Sequence, residues 1–322
     1  MEEIHVARSG LAKELIVSNG GRIIVSDLNN SYSFCQQLAR RSASNFYISF
    51  MLLPREKRRA MCALYAYLRH VDDLADDDGR DVATRRAALE ELRGALDEQP
   101  AGSNIINPIL PALADTVARY RIPVEYLTAV IDGVEMDLAE KEYETFEELE
   151  QYCERVASVV GLACIHIWGF HGSAALEPAR RCGVAFQLTN ILRDLKDDVR
   201  QRRVYLPQED LRRFGYRLEE LRRCEINSKF VELMRFEIDR TERFYGAAAE
   251  LEPLLARDGR RVFCAMTATY RAVLAKIKRE PEEVFRRRIR LRWWEKTRIA
   301  AGAMFVRSAP VVVDSKWETA RS

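Results

Sequence analysis

Proline and glycine are scarce in this chain, 10 and 15 of 322 residues, and runs of strand-forming residues are short. Few breakers and few strand signals argue against a sandwich or barrel and for a mostly helical protein. Neither sign of charge dominates: 51 basic side chains face 49 acidic ones, a net charge of +2. Nucleic-acid binders show a clear basic surplus, so that class is set aside. No window supplies the roughly 18 apolar residues of a membrane span. The mixed, charged stretch from Met1 to Glu14 lacks a signal-peptide pattern. Seven cysteines, an odd number with no C-x-x-C pair, support neither a disulfide framework nor a zinc site. They fit reduced, mostly buried thiols in a cytoplasm. No Ser-His-Asp or Cys-His arrangement stands out, and there is no G-x-G-x-x-G.

What the chain does have is acid at helical spacing, twice. Asn190, Asp194 and Asp198 stand four apart in a stretch without helix breakers. That spacing puts three oxygen-bearing side chains on one helix face. Asp72 and Asp76 repeat the pattern at the end of a helix-forming segment running from Glu56 to Ala75, with Gly79 as its candidate cap. The helix dipole disfavours negative charge in a last turn. One reading of each face is a solvated acidic surface. Two such faces far apart in sequence favour another, in which facing helices hold a hard cation. Mg2+ prefers oxygen ligands, keeps several waters and is held by a few carboxylates plus substrate phosphates. The physical reading is a diphosphate clamped through Mg2+.

Four further patterns carry a resemblance. Tyr65-x-x-x-Arg69-x-x-Asp72-Asp73-x-x-Asp76 pairs with Gln187-x-x-Asn190-x-x-Arg193-Asp194-x-x-x-Asp198, and between and after them come Tyr152-Cys-x-Arg155-Val-Ala-x-x-Val-Gly161 and Arg203-Val-Tyr-Leu-Pro207. In this order and spacing the chain resembles the squalene/phytoene synthase family, whose members join two prenyl diphosphates head to head. The resemblance runs from about residue 31 to about residue 300. It implies an all-α, single-domain isoprenoid-synthase-type helical bundle around a central cavity, with 1–30 as an N-terminal extension and 301–322 as a tail.

The resemblance also implies roles. Asp72, Asp76, Asn190, Asp194 and Asp198 would be metal ligands, for Mg2+ or Mn2+ in its place. Arg69, Tyr65 and Tyr270 join Asp72 and Asp76 as catalytic candidates. Ser42, Ser44, Phe46, Gly161, Gln187, Arg193 and Arg288 are candidates for substrate binding. Phe46, Tyr65, Phe186 and Tyr270 offer aromatic faces to a carbocation. The substrates are expected to be C15 farnesyl diphosphates giving presqualene diphosphate, with NADPH entering only if squalene is the product. Two C20 geranylgeranyl diphosphates giving phytoene is the alternative, and a catalytically silent lipid-binding relative the non-enzyme one. Lacking a C-terminal anchor of the eukaryotic squalene synthase kind, the protein is expected to be cytoplasmic. Its basic, tryptophan-bearing segment from Arg286 to Trp294 suggests contact with the inner face of a membrane.

Finer expectations concern single elements. One helix is expected from Phe146 to Phe170 and another from Ile226 to Leu255. Phe244, Tyr245, Met266 and Tyr270 are expected to face the cavity. An ion pair between Arg69 and Asp72 competes with a diphosphate role for Arg69. Asp137 is open between cavity and surface. Arg203 is open between a flap over the diphosphate and a favourable helix-end charge.

Overall fold

Small residues on one face and charge on the other turn most of the chain into helix. The computed structural model describes residues 28–42, 46–77, 79–97, 107–139 and 141–304. In order these form α1 (Leu28–Ser42), α2 (Phe46–Phe50), α3 (Arg55–Ala75), α4 (Val82–Asp97), α5 (Leu110–Tyr120), α6 (Val124–Leu138), α7 (Phe146–Cys153), α8 (Val159–Trp168), α9 (Leu176–Arg200), α10 (Gln208–Arg213), α11 (Leu218–Arg222), α12 (Ser228–Ala248), α13 (Arg257–Arg279), α14 (Glu283–Arg286) and α15 (Trp293–Met304). Among the described residues there is no strand, only a bridge between Phe170 and Leu255. The fold is all-α, as the scarcity of breakers predicts. Most of the N-terminal extension and of the tail lies outside the described residues, as does Ser44.

Two cores build the walls. α3 buries Ala60, Cys62, Ala63 and Ala66, and these small side chains let α1, α5, α6 and α8 pack against it. The Tyr67 hydroxyl donates to the Leu127 carbonyl at 2.9 Å and pins α3 to α6. The second core forms where α9 lies against α12 and α13. It also buries charge: Arg240 reaches Asp210 at 2.7 Å and Glu237 at 2.9 Å, tying α10 to α12. Removing either partner of such a buried cluster leaves a desolvated charge. Phe186 packs against both cores and so sits on their seam.

Three expected boundaries move. The segment from Phe146 to Phe170 is not one regular helix: a π turn, Glu154–Ser158, separates α7 from α8. π turns widen a helix by one residue, and two glycines make the room. A Cβ on Gly133 would lie 2.4 Å from Val156 Cγ1, and one on Gly183 would lie 2.5 Å from Ser158 Cα. α8 then stops at Gly169, whose φ of +88° suits only glycine. α12 ends at Ala248 and continues as a 3-10 turn, Ala249–Leu254, because Pro253 cannot extend an α-helix. α3 is capped by Asp76 rather than Gly79. Asp77 instead accepts the Gly79 N–H at 3.1 Å, a local side-chain bond that competes with further helix.

Candidate active site

Between the two cores lies a cavity of about 510 Å³. Its mouth is lined by Arg69, Asp72, Asp76, Asn190, Asp194 and Arg203. α3 presents Asp72 and Asp76 from its C-terminal end and α9 presents Asn190 and Asp194, so both helices bring acids to the same opening; Asp198, Arg193 and Arg288 are not among the residues that line it. The deeper walls are apolar, with Val156, Val160, Ile165, Met266 and the aromatic side chains of Phe50 and Trp168.

The α9 face is rich in cations. Arg193 and Arg288 both grip Asp194; the Arg288 contacts measure 2.9 and 3.1 Å. Burial works against the ionised carboxyl, but the hydrogen bonds and charge of the two guanidiniums outweigh it and hold Asp194 below the usual carboxylate range. Asp198, one turn on, lacks such partners among the described residues. Burial, followed by the charge of Asp194, pushes it up to about 8 against the pull of Arg203. Asn190 completes the row. Among the described residues its Oδ1 is buried without a hydrogen-bond partner, while its side chain makes a 3.4 Å contact with Gln187 through Nδ2 and a hydrogen bond with Tyr270.

The α3 face is poor in cations. Arg69 pairs with Asp73 at 2.5 Å rather than with Asp72, although both acids lie within its reach along the helix. Asp72 opens onto the cavity yet is ringed by protein. Loss of bulk water, only partly offset by Arg69 and reinforced by Asp76, Asp73 and Asp137, pushes its carboxyl up to about 7. Asp76 is met from the far side by Arg203 at 3.0 Å. Arg203 is therefore a bridge between the two faces.

Asp137, left open by the sequence, lines the cavity. It accepts hydrogen bonds from Tyr152 at 3.0 Å and Tyr205 at 2.8 Å, whose rings stack 5.2 Å apart. No role for this trio was legible beforehand. The available signal was that each tyrosine falls inside one of the quoted motifs. Phe186 and Tyr270 stack at 4.2 Å with their rings nearly parallel, beside Asn190. Tyr65 lies on the opposite wall, edge-on to Phe50.

Other candidates fall elsewhere. Phe244 and Tyr245 are not among the cavity walls: Phe244 packs on Phe146 under Arg181, and the Tyr245 hydroxyl bonds to Thr189 at 2.8 Å. Their helix turns those side chains onto α7 and α9. Gly161 lines the cavity, but a Cβ there would stand 3.1 Å from the Ala179 carbonyl, so its smallness also serves helix packing. Gln187 is in the wall. Ser42 is exposed at the end of α1, and the side chain of Phe46 lies outside the described residues.

The donor set fits hard cations. Carboxylates and a buried, unpartnered amide oxygen are the ligands Mg2+ takes. Among the described residues no three acidic, histidine or cysteine side chains close around one point.

Comparisons with known proteins agree with this geometry. A family model described as squalene/phytoene synthase matches residues 39–295. The phytoene synthase of Mycobacterium tuberculosis is 35% identical over 283 residues, 87% of this chain and 92% of that protein. The 15-cis-phytoene synthase of Synechococcus elongatus is 33% identical over 295 residues, 88% and 95% of the two chains. Among solved structures, a dehydrosqualene synthase in complex with a ligand superposes with a TM-score of 0.76 at 25% identity, over 86% of this chain and 96% of that one. A squalene synthase of Alicyclobacillus acidocaldarius gives 0.73 at 28%, over 80% and 96%.

Proposed function

The chain belongs to the squalene/phytoene synthase family and is a prenyltransferase, and from that premise we propose that it condenses two farnesyl diphosphates head to head into presqualene diphosphate. The observation that carries the chemistry is the pair of oxygen-donor faces at the mouth of an apolar cavity. Asp72, Asp76, Asn190, Asp194 and Asp198 would hold Mg2+, which supplies neutralising charge to a leaving diphosphate. Arg69, Arg193 and Arg288 give up carboxylate partners to phosphate oxygens, to which guanidinium binds in bidentate fashion. The apolar walls keep water from the allylic cation left behind. The stacked pair of Phe186 and Tyr270, with Tyr65 opposite, offers that cation π faces. The double bond of the second chain attacks the cationic carbon, a proton is lost and a cyclopropyl diphosphate forms. No side-chain nucleophile is needed.

We take Trp168, a bulky side chain in the cavity wall, as the residue that favours the shorter chain. Its backbone is firmly held: a Cβ on Gly259 would lie 2.6 Å from Trp168 Cβ, and Lys57 holds the Trp168 carbonyl at 2.7 Å. The second reading, phytoene synthesis from two C20 chains, is favoured by the names of the relatives most similar in sequence. NADPH enters only if the product goes on to squalene. Substrate and product are lipids, so the reading includes work at the cytoplasmic face of a membrane.

Mass spectrometry of products from mixed C15 and C20 diphosphates with Mg2+, with and without NADPH, tests all of this. A C30 diphosphate without NADPH supports the proposal, and a C40 hydrocarbon replaces it with the second reading. Trp168→Leu is expected to raise the C40 share; an unchanged ratio would remove Trp168 from chain-length control.

A further inference from the structure

Large apolar side chains are seldom exposed on the described surface, and three of the exceptions lie on or beside two helices that pack together. Trp293 is 76% exposed, Met51 53% and Trp294 43%. Both tryptophans begin α15, which packs on α2 and α13, and Met51 is the residue that follows α2. The segment leading into α15 is also positively charged. Arg286 and Arg287 share Glu283, Arg288 holds Asp194, and Lys276 holds Glu295. Arg290, Arg292 and Arg298 are exposed, and among the described residues none of their guanidiniums lies within ion-pair distance of a carboxylate, although Glu295 feels the charge of Arg292. The Arg298 guanidinium lies 5.7 Å over the Trp294 ring.

Indole rings settle at the headgroup level of a bilayer, and arginines beside them bind lipid phosphates. An anionic leaflet adds attraction to each unpaired arginine. The patch adjoins the cavity at two places. Arg288, two residues before Arg290, reaches Asp194 at the mouth, and Phe50 of α2 forms part of the wall. No described helix is long and apolar enough to cross a membrane, so contact of this kind would be with the surface.

We propose that Trp293, Trp294 and Met51, with Arg290, Arg292 and Arg298, dock the protein on an anionic lipid bilayer with α2 and the cavity mouth beside the leaflet. Prenyl chains then pass between bilayer and cavity with little exposure to water. This rests on the lipid substrates proposed above, and its test is arranged to fail separately.

The full-length protein is co-sedimented with phosphatidylcholine vesicles and with vesicles containing one quarter phosphatidylglycerol, while tryptophan emission is recorded. Product formation is assayed in parallel with detergent-dispersed substrate. Binding to the anionic vesicles with a blue shift, weakening as salt rises, is expected. Arg290→Gln with Arg292→Gln should weaken it about 25-fold, near fivefold for each arginine. Trp293→Ser with Trp294→Ser should abolish the shift, and both pairs should keep the detergent activity. Equal binding to both vesicle types, no binding, or binding untouched by either pair overturns the proposal. So does a dimer that the tryptophan pair dissolves in the absence of vesicle binding. Anionic binding by a protein that makes no product in detergent would keep the surface and sink the proposed activity.

Discussion

Asp194 on α9 and Asp72 on α3 are similar side chains in opposite electrostatic states. On α9, Asp194 is neutralised by two guanidiniums and held ionised. On α3, Asp72 has no side-chain hydrogen bond among the described residues and its carboxyl is pushed up to about 7. The difference lies in which neighbours the chain supplies. Arg193 precedes Asp194 directly and Arg288 arrives from the segment after α14, whereas Arg69 is drawn off to Asp73. Asp194 therefore waits with its charge balanced, whereas Asp72, and Asp198 one turn beyond Asp194, wait for a cation. A diphosphate entering with metal satisfies both: it takes the arginines of α9 and supplies the charge that α3 lacks.

The largest effects come from breaking each face in turn. Asp72→Asn and Asp194→Asn should each cut turnover by about 100-fold or more, since each removes a ligand of the cation that would neutralise the leaving group's developing negative charge. Their stabilities should separate them. Asp72→Asn deletes a carboxylate that folding disfavours, so the metal-free protein should melt higher at pH 8. Asp194→Asn removes the charge that two arginines share and turns one of its two accepting oxygens into an NH2 donor facing a guanidinium, and should cost about 1–3 kcal/mol. Thermal unfolding without metal reads this directly. Equal shifts in the two variants would erase the distinction between the faces.

Titration sharpens the same contrast. Asp72 and Asp198 have folded values above those of an unfolded carboxyl, so the folded state binds protons more tightly. Their contribution to stability is whole below about pH 4 and is lost as pH rises through about 7 and 8. Asp194 has the opposite sign: its contribution is present above the unfolded value and lost as pH falls through the lower folded one. The metal-free melting temperature should therefore fall between pH 5 and 8.5, and Mg2+ should restore most of that loss at the upper end. A melting curve whose pH dependence ignores Mg2+ would argue against cation binding by these groups.

Much of this contrast was not legible in the sequence. Spacing alone put Asn190, Asp194 and Asp198 on one face, because a helix without breakers has one geometry, and scarce glycine and proline foretold the all-α fold. Spacing could not choose a partner for Arg69, since residues three and four away are both within reach. Arg203 lies 127 positions from Asp76 and Arg288 lies 94 from Asp194, so no local pattern reports those pairs. The π turn was hidden for a related reason. Its cause is divided between Gly133 and Gly183, on two other helices, while its own residues read as ordinary helix. Asp137 was undecidable until Tyr152 and Tyr205 were seen to converge on it.

The smallest expected effect concerns the bridge itself. Arg203 is mostly covered, but the Asp76 it meets is about half exposed, and pairs of that kind contribute less than about 1 kcal/mol. Arg203→Gln should therefore melt only slightly lower than the parent. Its effect on cations should be clearer. The guanidinium competes with a metal ion for Asp76 and lends positive charge to the mouth, so without it the substrate-free protein should bind Mg2+ or Mn2+ a few-fold more tightly. Binding of the diphosphate should weaken at the same time, because one cation fewer faces it. Calorimetry with metal alone and then with inorganic diphosphate separates the two. If both affinities fall together, Arg203 organises the mouth rather than holding a cation's place, and the α3 face is less starved of charge than its carboxyls suggest.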